Sequence, residues 1–335
     1  MDKKIAFCGN ILVDSVKTIT SWPEKGMLVP ITDVKRCVGG SVCNTGIDLK
    51  VLDPSVEVQA IGKIGLDDSG DFAVSVLESR GLDCSLVQRV DGVPTTFTDV
   101  MSVKGTGERT FFNMHGADSH MTPNDVDVLS LDCDVFHLGY LLLLDGLDAP
   151  DDEYGTKAAR LLANVQAAGI KTSLDIVSEQ SERFPGIVRP SLKYCDYLVV
   201  NEIEGAMATG LSCRDGDGKV SADALTKIAE ALFAFGVREK VVLHCPEMSV
   251  CRSASGETCV VPSLNLPSEW IRGSVGAGDA FCAGMLYSFL SGIPDREGME
   301  LASCVAAANL AATDSISGAL PLGETLALGK RFNRR

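Results

Sequence analysis

The chain has 335 residues, and its 30 lysines and arginines against 45 aspartates and glutamates give a formal charge of −15. Hydrophobic residues at 45% and charged residues at 22% are ordinary for a folded protein, and the length supports one large α/β unit or two domains without staples. No basic run exceeds two residues, so the clustered cations that displace counterions from nucleic acid are missing and no nucleic-acid partner is expected.

From the N-terminus, short apolar runs alternate with helical patterns. Strands are predicted over 4–9, 56–62, 135–138, 171–174, 197–200 and 240–244. Helices are predicted over 41–52, 68–80, 156–168, 203–209 and 222–235. This alternation predicts a mainly parallel sheet covered on both faces, in a single domain over 1–330.

Two segments break the rhythm. Stretches 16–22 and 28–35 flank the turn sequence Pro23-Glu24-Lys25-Gly26, and 95–103 and 108–114 flank Lys104-Gly105-Thr106-Gly107. Both read as β-hairpins inserted between βα units, over 14–37 and 94–115, and together they predict a small second sheet acting as a lid. Further on, 280–290 is apolar all round, which predicts a buried helix. Residues 301–312 are rich in alanine, and 326–335 are expected to be a poorly ordered tail.

No exporting or bilayer-spanning segment is expected. Gly9, Asn10 and Asp14 interrupt the apolar start behind Lys3-Lys4, and the densest apolar run, 138–144, falls far short of about 20 residues. The twelve cysteines form no C-x-x-C pair, and several, such as Cys282 and Cys304, sit in apolar segments. They read as reduced thiols of a cytoplasmic protein.

The most informative stretch is Gly276-Ala277-Gly278-Asp279, just before the buried helix. Unpaired N–H groups and the positive end of the dipole make such a start an anion site. Asp279 beside it has two readings: a complement to the dipole, worth about 0.3–1 kcal/mol, or a base that takes a proton from a hydroxyl, worth ~10²–10⁴ in rate.

Gly276-Ala277-Gly278-Asp279-Ala280-Phe281 resembles the C-terminal signature of the ribokinase-like (PfkB family) carbohydrate kinases. Gly39-Gly40-Ser41-Val42-Cys43-Asn44 resembles their GG-x-x-x-N segment, and Asn201-Glu202-Ile203-Glu204 their N-x-x-E motif. The three stand in family order, so the resemblance spans nearly the whole chain. It implies a three-layer αβα fold with a doubly wound sheet and a β lid. It also implies ATP- and Mg²⁺-dependent phosphorylation of a hydroxyl, in the first instance a primary one, on a small sugar or sugar derivative.

By the same resemblance Asp279 is the catalytic base, and the amides of Ala277, Gly278 and Asp279 form an anion hole behind Gly276. Asp14, Gly39, Gly40 and Asn44 grip substrate hydroxyls, with Asn10 a weaker candidate. Asn201 and Glu204 organise Mg²⁺ and phosphate largely through water, with no direct protein ligand set. Ser274 and Asn309 lie toward the nucleotide, and Asp175 is a secondary candidate near substrate or metal. A homodimer through the lid is a further implication. Gly273 and Ser274 stand where the family has Asp-Thr, which leaves the monovalent-cation site of some members open. Cys245-Pro246-Glu247-Met248-Ser249 stands where a Gly-containing turn usually meets the nucleotide.

Two alternatives stay in play. The lid aromatics Trp22, Phe97, Phe111 and Phe112 allow a nucleoside acceptor, and the altered turn allows a non-catalytic sugar or nucleotide sensor. No Walker A loop, dinucleotide fingerprint or zinc spacing among the four histidines is present.

Overall fold

The computed structural model describes residues 3–106, 108–179, 181–215 and 217–335. Gly107, the last residue of the second predicted turn, lies outside them.

In chain order, β1 (Lys4–Gly9) leads into a hairpin of β2 (Leu12–Ile19) and β3 (Ile31–Gly39), then α1 (Ser41–Leu52), β4 (Glu57–Gly65), α2 (Asp68–Ser79) and β5 (Asp83–Val90). A second hairpin, β6 (Phe97–Val103) and β7 (Arg109–Met114), precedes β8 (Val135–Leu141). After α3 (Asp145–Asp148) and the short pair β9 (Pro150–Asp151) and β10 (Gly155–Thr156) come α4 (Lys157–Ala167), β11 (Lys171–Ile176), α5 (Phe184–Leu192) and β12 (Tyr197–Asn201). The chain continues through α6 (Glu202–Thr209), α7 (Ala222–Ala234), β13 (Lys240–His244), β14 (Met248–Ser253) and β15 (Thr258–Pro262). It ends with α8 (Ala277–Ser291), α9 (Asp295–Asn309) and α10 (Leu322–Arg331).

The main sheet runs β15-β14-β13-β12-β11-β8-β1-β4-β5, parallel except for β14 and β15. From β1 the chain winds outward through β4 and β5, then returns to the other side of β1 at β8. The reversal opens a crevice at the C-terminal ends of β1 and β8, the usual ligand position in open α/β sheets. Two apolar layers cover the sheet. One is built with residues of α4, α5 and α7, such as Leu161, Val188 and Leu232. The other is built with residues of α1, α2, α8 and α9, such as Ile47, Leu77, Met285 and Val305. Gly284 lets α8 and α9 touch: a Cβ there would lie 2.6 Å from Ala302 Cα.

The lid is a four-stranded sheet in the order β3-β2-β6-β7. Both hairpins are present, but the first is shifted from the predicted strands. Its strands stop at Ile19 and resume at Ile31, so the connection is far longer than the four-residue turn around Pro23. The C-terminal expectation is corrected outright. Residues of the supposed tail belong to α10, whose Leu328 is buried against Cys304 and Leu264, and Arg335 N donates to Ser263 O at 3.0 Å. An apolar stripe at helical spacing holds this segment in place.

Candidate active site

Asp279 stands on the first turn of α8, which Gly276 opens in a left-handed conformation (φ 79°). Only glycine suits this position, because a Cβ there would lie 2.7 Å from Ser315. The carboxylate is buried and held by three donors. Tyr140 OH donates to Oδ1 at 2.6 Å, Thr45 Oγ1 to Oδ1 at 3.4 Å, and Asn44 Nδ2 to Oδ2 at 3.0 Å. Burial pushes its pKa up to about 6, against the pull of these hydrogen bonds.

The first turn of α8 supplies the amides. Ala277 N–H already donates to Ser274 O at 3.3 Å, which corrects the three-donor expectation. Gly278 and Asp279, one turn from the helix start, have no carbonyl four residues back to bind. Gly278 has no side chain to block approach, the nearest atom to a Cβ there being His244 Cε1 at 3.6 Å.

Asn44 is positioned from the other end of the chain. Its Oδ1 accepts from Ser315 Oγ at 2.9 Å, and Ser315 O accepts from Asn309 Nδ2 at 2.7 Å. Asn309 is 1% exposed, so it braces this loop and does not reach toward a nucleotide. Asn10 is likewise corrected: it is buried, its amide donates to Asp118 and Leu143 O, and its Oδ1 accepts from Tyr140 N at 2.7 Å. It fixes the end of β8 that carries Tyr140, and both its amide hydrogens are spent.

Asp14, on β2, is half-buried, and burial raises its pKa to about 6 while Thr98 and Arg109 pull it down. Gly39 leaves room for it, since a Cβ at 39 would lie 2.8 Å from Asp14 Oδ2. Gly40 (φ 90°) caps α1, where a Cβ would strike Asn10 O at 2.4 Å. This pair therefore brings α1, and Asn44 on it, close to the end of β1.

Asn201 and Glu204 form a capping box at the start of α6. Asn201 Oδ1 accepts from Ile203 N and Glu204 N, and Glu204 Oε2 accepts from Asn201 N, each at 2.9 Å. Ser178 joins them, donating to Glu204 Oε1 at 2.7 Å. Glu204 is 5% exposed, and burial raises its pKa to about 7, with the charge of Asp279 adding to the rise. Asp175, at the end of β11, is raised well above its ordinary value by burial and then by Asp279 and Glu204. Three acids from three strand ends and helix starts thus meet in one buried field.

Two cavities open here. One of about 750 Å³ lies between the lid and the loops around Gly273 and Thr313. The other, about 500 Å³, is lined by Asn201, His244, Pro246, Gly278, Phe281 and Ala306 among others, and is mostly apolar. Ser274 borders both. The Cys245–Ser249 segment is the tight turn joining β13 to β14 on the wall of the second cavity, with Cys245 N bonded to Met248 O at 2.9 Å.

Sequence reasoning missed Tyr140, Thr45 and Ser315. Tyr140 is hidden in the apolar run 138–144, and the other two carry no spacing signal.

A carboxylate at a glycine-opened helix start, next to Gly278 on the wall of an apolar cavity in an open α/β sheet, is the arrangement of a small-molecule kinase that works without a P-loop. The chain belongs to the pfkB family of carbohydrate kinases, whose family model matches residues 2–321. It is 24% identical over 294 residues to a 5-dehydro-2-deoxygluconokinase of Geobacillus thermodenitrificans, covering 85% of this chain and 82% of that one. It is 25% identical over 300 residues to the 2-dehydro-3-deoxygluconokinase of Escherichia coli K12, covering 87% and 90%. Among solved structures it is similar to Arabidopsis thaliana ribokinase complexed with ribose and ATP, with a TM-score of 0.80, 18% identity and coverage of 98% and 99%. It is also similar to the nucleoside kinase of Methanocaldococcus jannaschii, with a TM-score of 0.73, 16% identity and coverage of 99% of each chain. The fold is ribokinase-like.

Proposed function

We propose that the chain transfers the γ-phosphoryl group of ATP to a hydroxyl, in the first instance a primary one, of a small sugar or sugar derivative, with Asp279 as base. The observation that carries this is the setting of Asp279. It is ionisable near neutral pH, fixed by three donors, and follows Gly278, whose amide lies on the wall of the apolar cavity. Oδ1 already accepts two hydrogen bonds and Oδ2 one, so the free lone pair for an incoming hydroxyl is on Oδ2. Asp14 and the second lone pair of Asn44 Oδ1 orient the acceptor, the Asn44 amide being committed to Asp279 and Tyr140, and the apolar cavity takes the adenine end of the nucleotide. The amides of Gly278 and Asp279 face the charge that develops on the transferred group. Closure of the lid excludes water.

The acidic field suits a divalent cation. Asp279 raises the pKa values of both Asp175 and Glu204, and Glu204 adds to the rise at Asp175, in a buried space, and a cation relieves that repulsion. Mg²⁺, held through water near Asn201 and Glu204, would neutralise charge on the β- and γ-phosphate oxygens. Asn201 and Glu204 keep the cap of α6 while presenting that charge.

Two further parts of the reading concern place and assembly. All twelve cysteines are unpaired, eight of them buried, which supports a reducing, cytoplasmic setting. Among the described residues no helix is long and apolar enough to cross a membrane. The lid exposes Trp22, Val34 and Phe112 beside its open edges β3 and β7, and this face supports pairing with a second copy.

The test is ADP release from ATP and Mg²⁺ across a panel of sugars, sugar acids and nucleosides. Turnover with sugars or sugar acids supports the reading. Turnover with nucleosides alone moves the acceptor class, and ligand-induced thermal stabilisation without any ADP replaces the kinase with a sensor.

A further inference from the structure

The lidded cavity is basic, in a chain whose acids outnumber its bases. Five cationic residues line it against two carboxylates, Asp33 and Asp314, while the whole chain has 30 against 45. Three of the cations converge from separate elements: Lys35 from β3, Arg109 from β7, and Arg272 from the loop that leads to Gly276. Among the described residues none of the three has a carboxylate within ion-pair distance. Arg36 differs, since it bonds Ser69 and lies over the ring of Phe72. Arg109 spends one donor on Thr313 O at 2.7 Å, which leaves most of its planar fork unengaged.

Position gives these charges a use. Arg109 lies close enough to Asp14 to pull its pKa down. Cys37, on the same cavity wall, contacts Asp14 O through Sγ. Arg109 and the cavity wall at Cys37 therefore stand close to Asp14, which the kinase reading gives to the acceptor hydroxyls. The apolar cavity beyond Ser274 holds none of them; its charged lining residues are Glu202 and Arg335.

Resting on the kinase reading above, we infer that the acceptor is an anionic sugar, bearing a carboxylate or phosphate that Arg109, Lys35 and Arg272 bind while Asp14 and Asn44 hold its hydroxyls. A forked guanidinium with a flanking ammonium matches a planar carboxylate or a phosphate. Five cations against the carboxylates of Asp33 and Asp314 leave the lining of this cavity with an excess of positive charge, a cost that an anionic ligand offsets. A neutral sugar would leave that excess in place as the lid closes.

The experiment compares ADP formation with pairs of aldonic or ketoaldonic acids and the neutral aldoses or alditols of the same carbon skeleton, together with sugar monophosphates. The acid or the phosphate is expected to exceed its neutral partner in kcat/KM by at least about a hundredfold, and whichever is preferred identifies the anion. Arg109→Ala and Lys35→Ala should each raise the KM for that anion at least about tenfold, with the KM for ATP within about twofold. Lys35 is exposed, so its variant tests the point even if Arg109→Ala disturbs the lid. Equal or better turnover of neutral sugars overturns the inference and leaves the kinase reading standing. A rise confined to the KM for ATP also overturns it, assigning the cations to the nucleotide. Should no acceptor yield ADP, calorimetric titration with the acids and sugar phosphates in the absence of nucleotide decides: salt-sensitive binding lost in Lys35→Ala supports the anion site, and no binding refutes it.

Discussion

Tyr140, at the end of β8, donates a 2.6 Å hydrogen bond to Oδ1 of Asp279, 139 residues further along the chain. The phenol favours the ionised base, and hydrogen bonds to charged groups are worth about 1.5–3 kcal/mol. Tyr140→Phe should therefore move the acid limb of the kcat/KM profile upward by at least about one pH unit, since a unit corresponds to 1.36 kcal/mol. Activity at pH 9 should change far less than activity at pH 6. A profile that drops uniformly at all pH values would show that the phenol does not tune the base.

Asp279→Asn should cut kcat at least about a hundredfold. Its stability behaviour has the opposite sign. Burial holds the folded-state pKa at about 6, above the ordinary value, so the stabilisation from protonating this group is present at low pH and lost as pH rises through about 6. Removing the charge at pH 8 should leave the melting temperature within roughly 3 °C of the parent, the scale of about 1 kcal/mol in a large domain. Calorimetry beside the kinetic assay checks both halves.

Glu204→Gln and Asn201→Ala separate the cap of α6 from its charge. Asn201→Ala removes the acceptor for two backbone amides and should cost about 0.5–2 kcal/mol in denaturant unfolding. Glutamine at 204 keeps a carbonyl for Asn201 N and removes a charge that burial disfavours above pH about 7. Stability at pH 8 should hold, while the Mg²⁺ concentration for half-maximal activity should rise severalfold.

Ala306→Phe fills the apolar cavity from α9. The KM for ATP should rise at least about tenfold, and the KM for the acceptor should stay within about twofold. A change in the acceptor alone would reverse the assignment of the two cavities.

The exposed apolar face of the lid includes Trp22 and Phe112, which stack with ring centroids 6.4 Å apart. Light scattering at micromolar concentration should find a dimer for the parent chain and a monomer for the double variant Trp22→Ser, Phe112→Ser. A monomeric parent would end the assembly reading.

The sheet, the two hairpins and the glycine-opened helix were legible because each leaves a local mark: apolar alternation, turn residues, or Gly276 ahead of an apolar run. What stayed hidden depends on distant partners. Asn10 looked like a ligand residue at a strand end, yet its amide is committed to Asp118 and Leu143. Asn309 was assigned toward the nucleotide, and only the loop folding back over it makes it a brace for Ser315. Helix α5 escaped notice because it carries Pro185 and Pro190, one at its start and one inside. Tyr140 reads as one more apolar residue until β8 and α8 are placed side by side.

The bond from Ser315 to Asn44 bears on how the molecule becomes competent during synthesis. Residues 271 positions apart must meet before the amide that steadies Asp279 is itself oriented. Most of the strands and both halves of the lid have left the ribosome long before Ser315 does. The reactive geometry is therefore complete only once the loop that carries Ser315 has packed against α1.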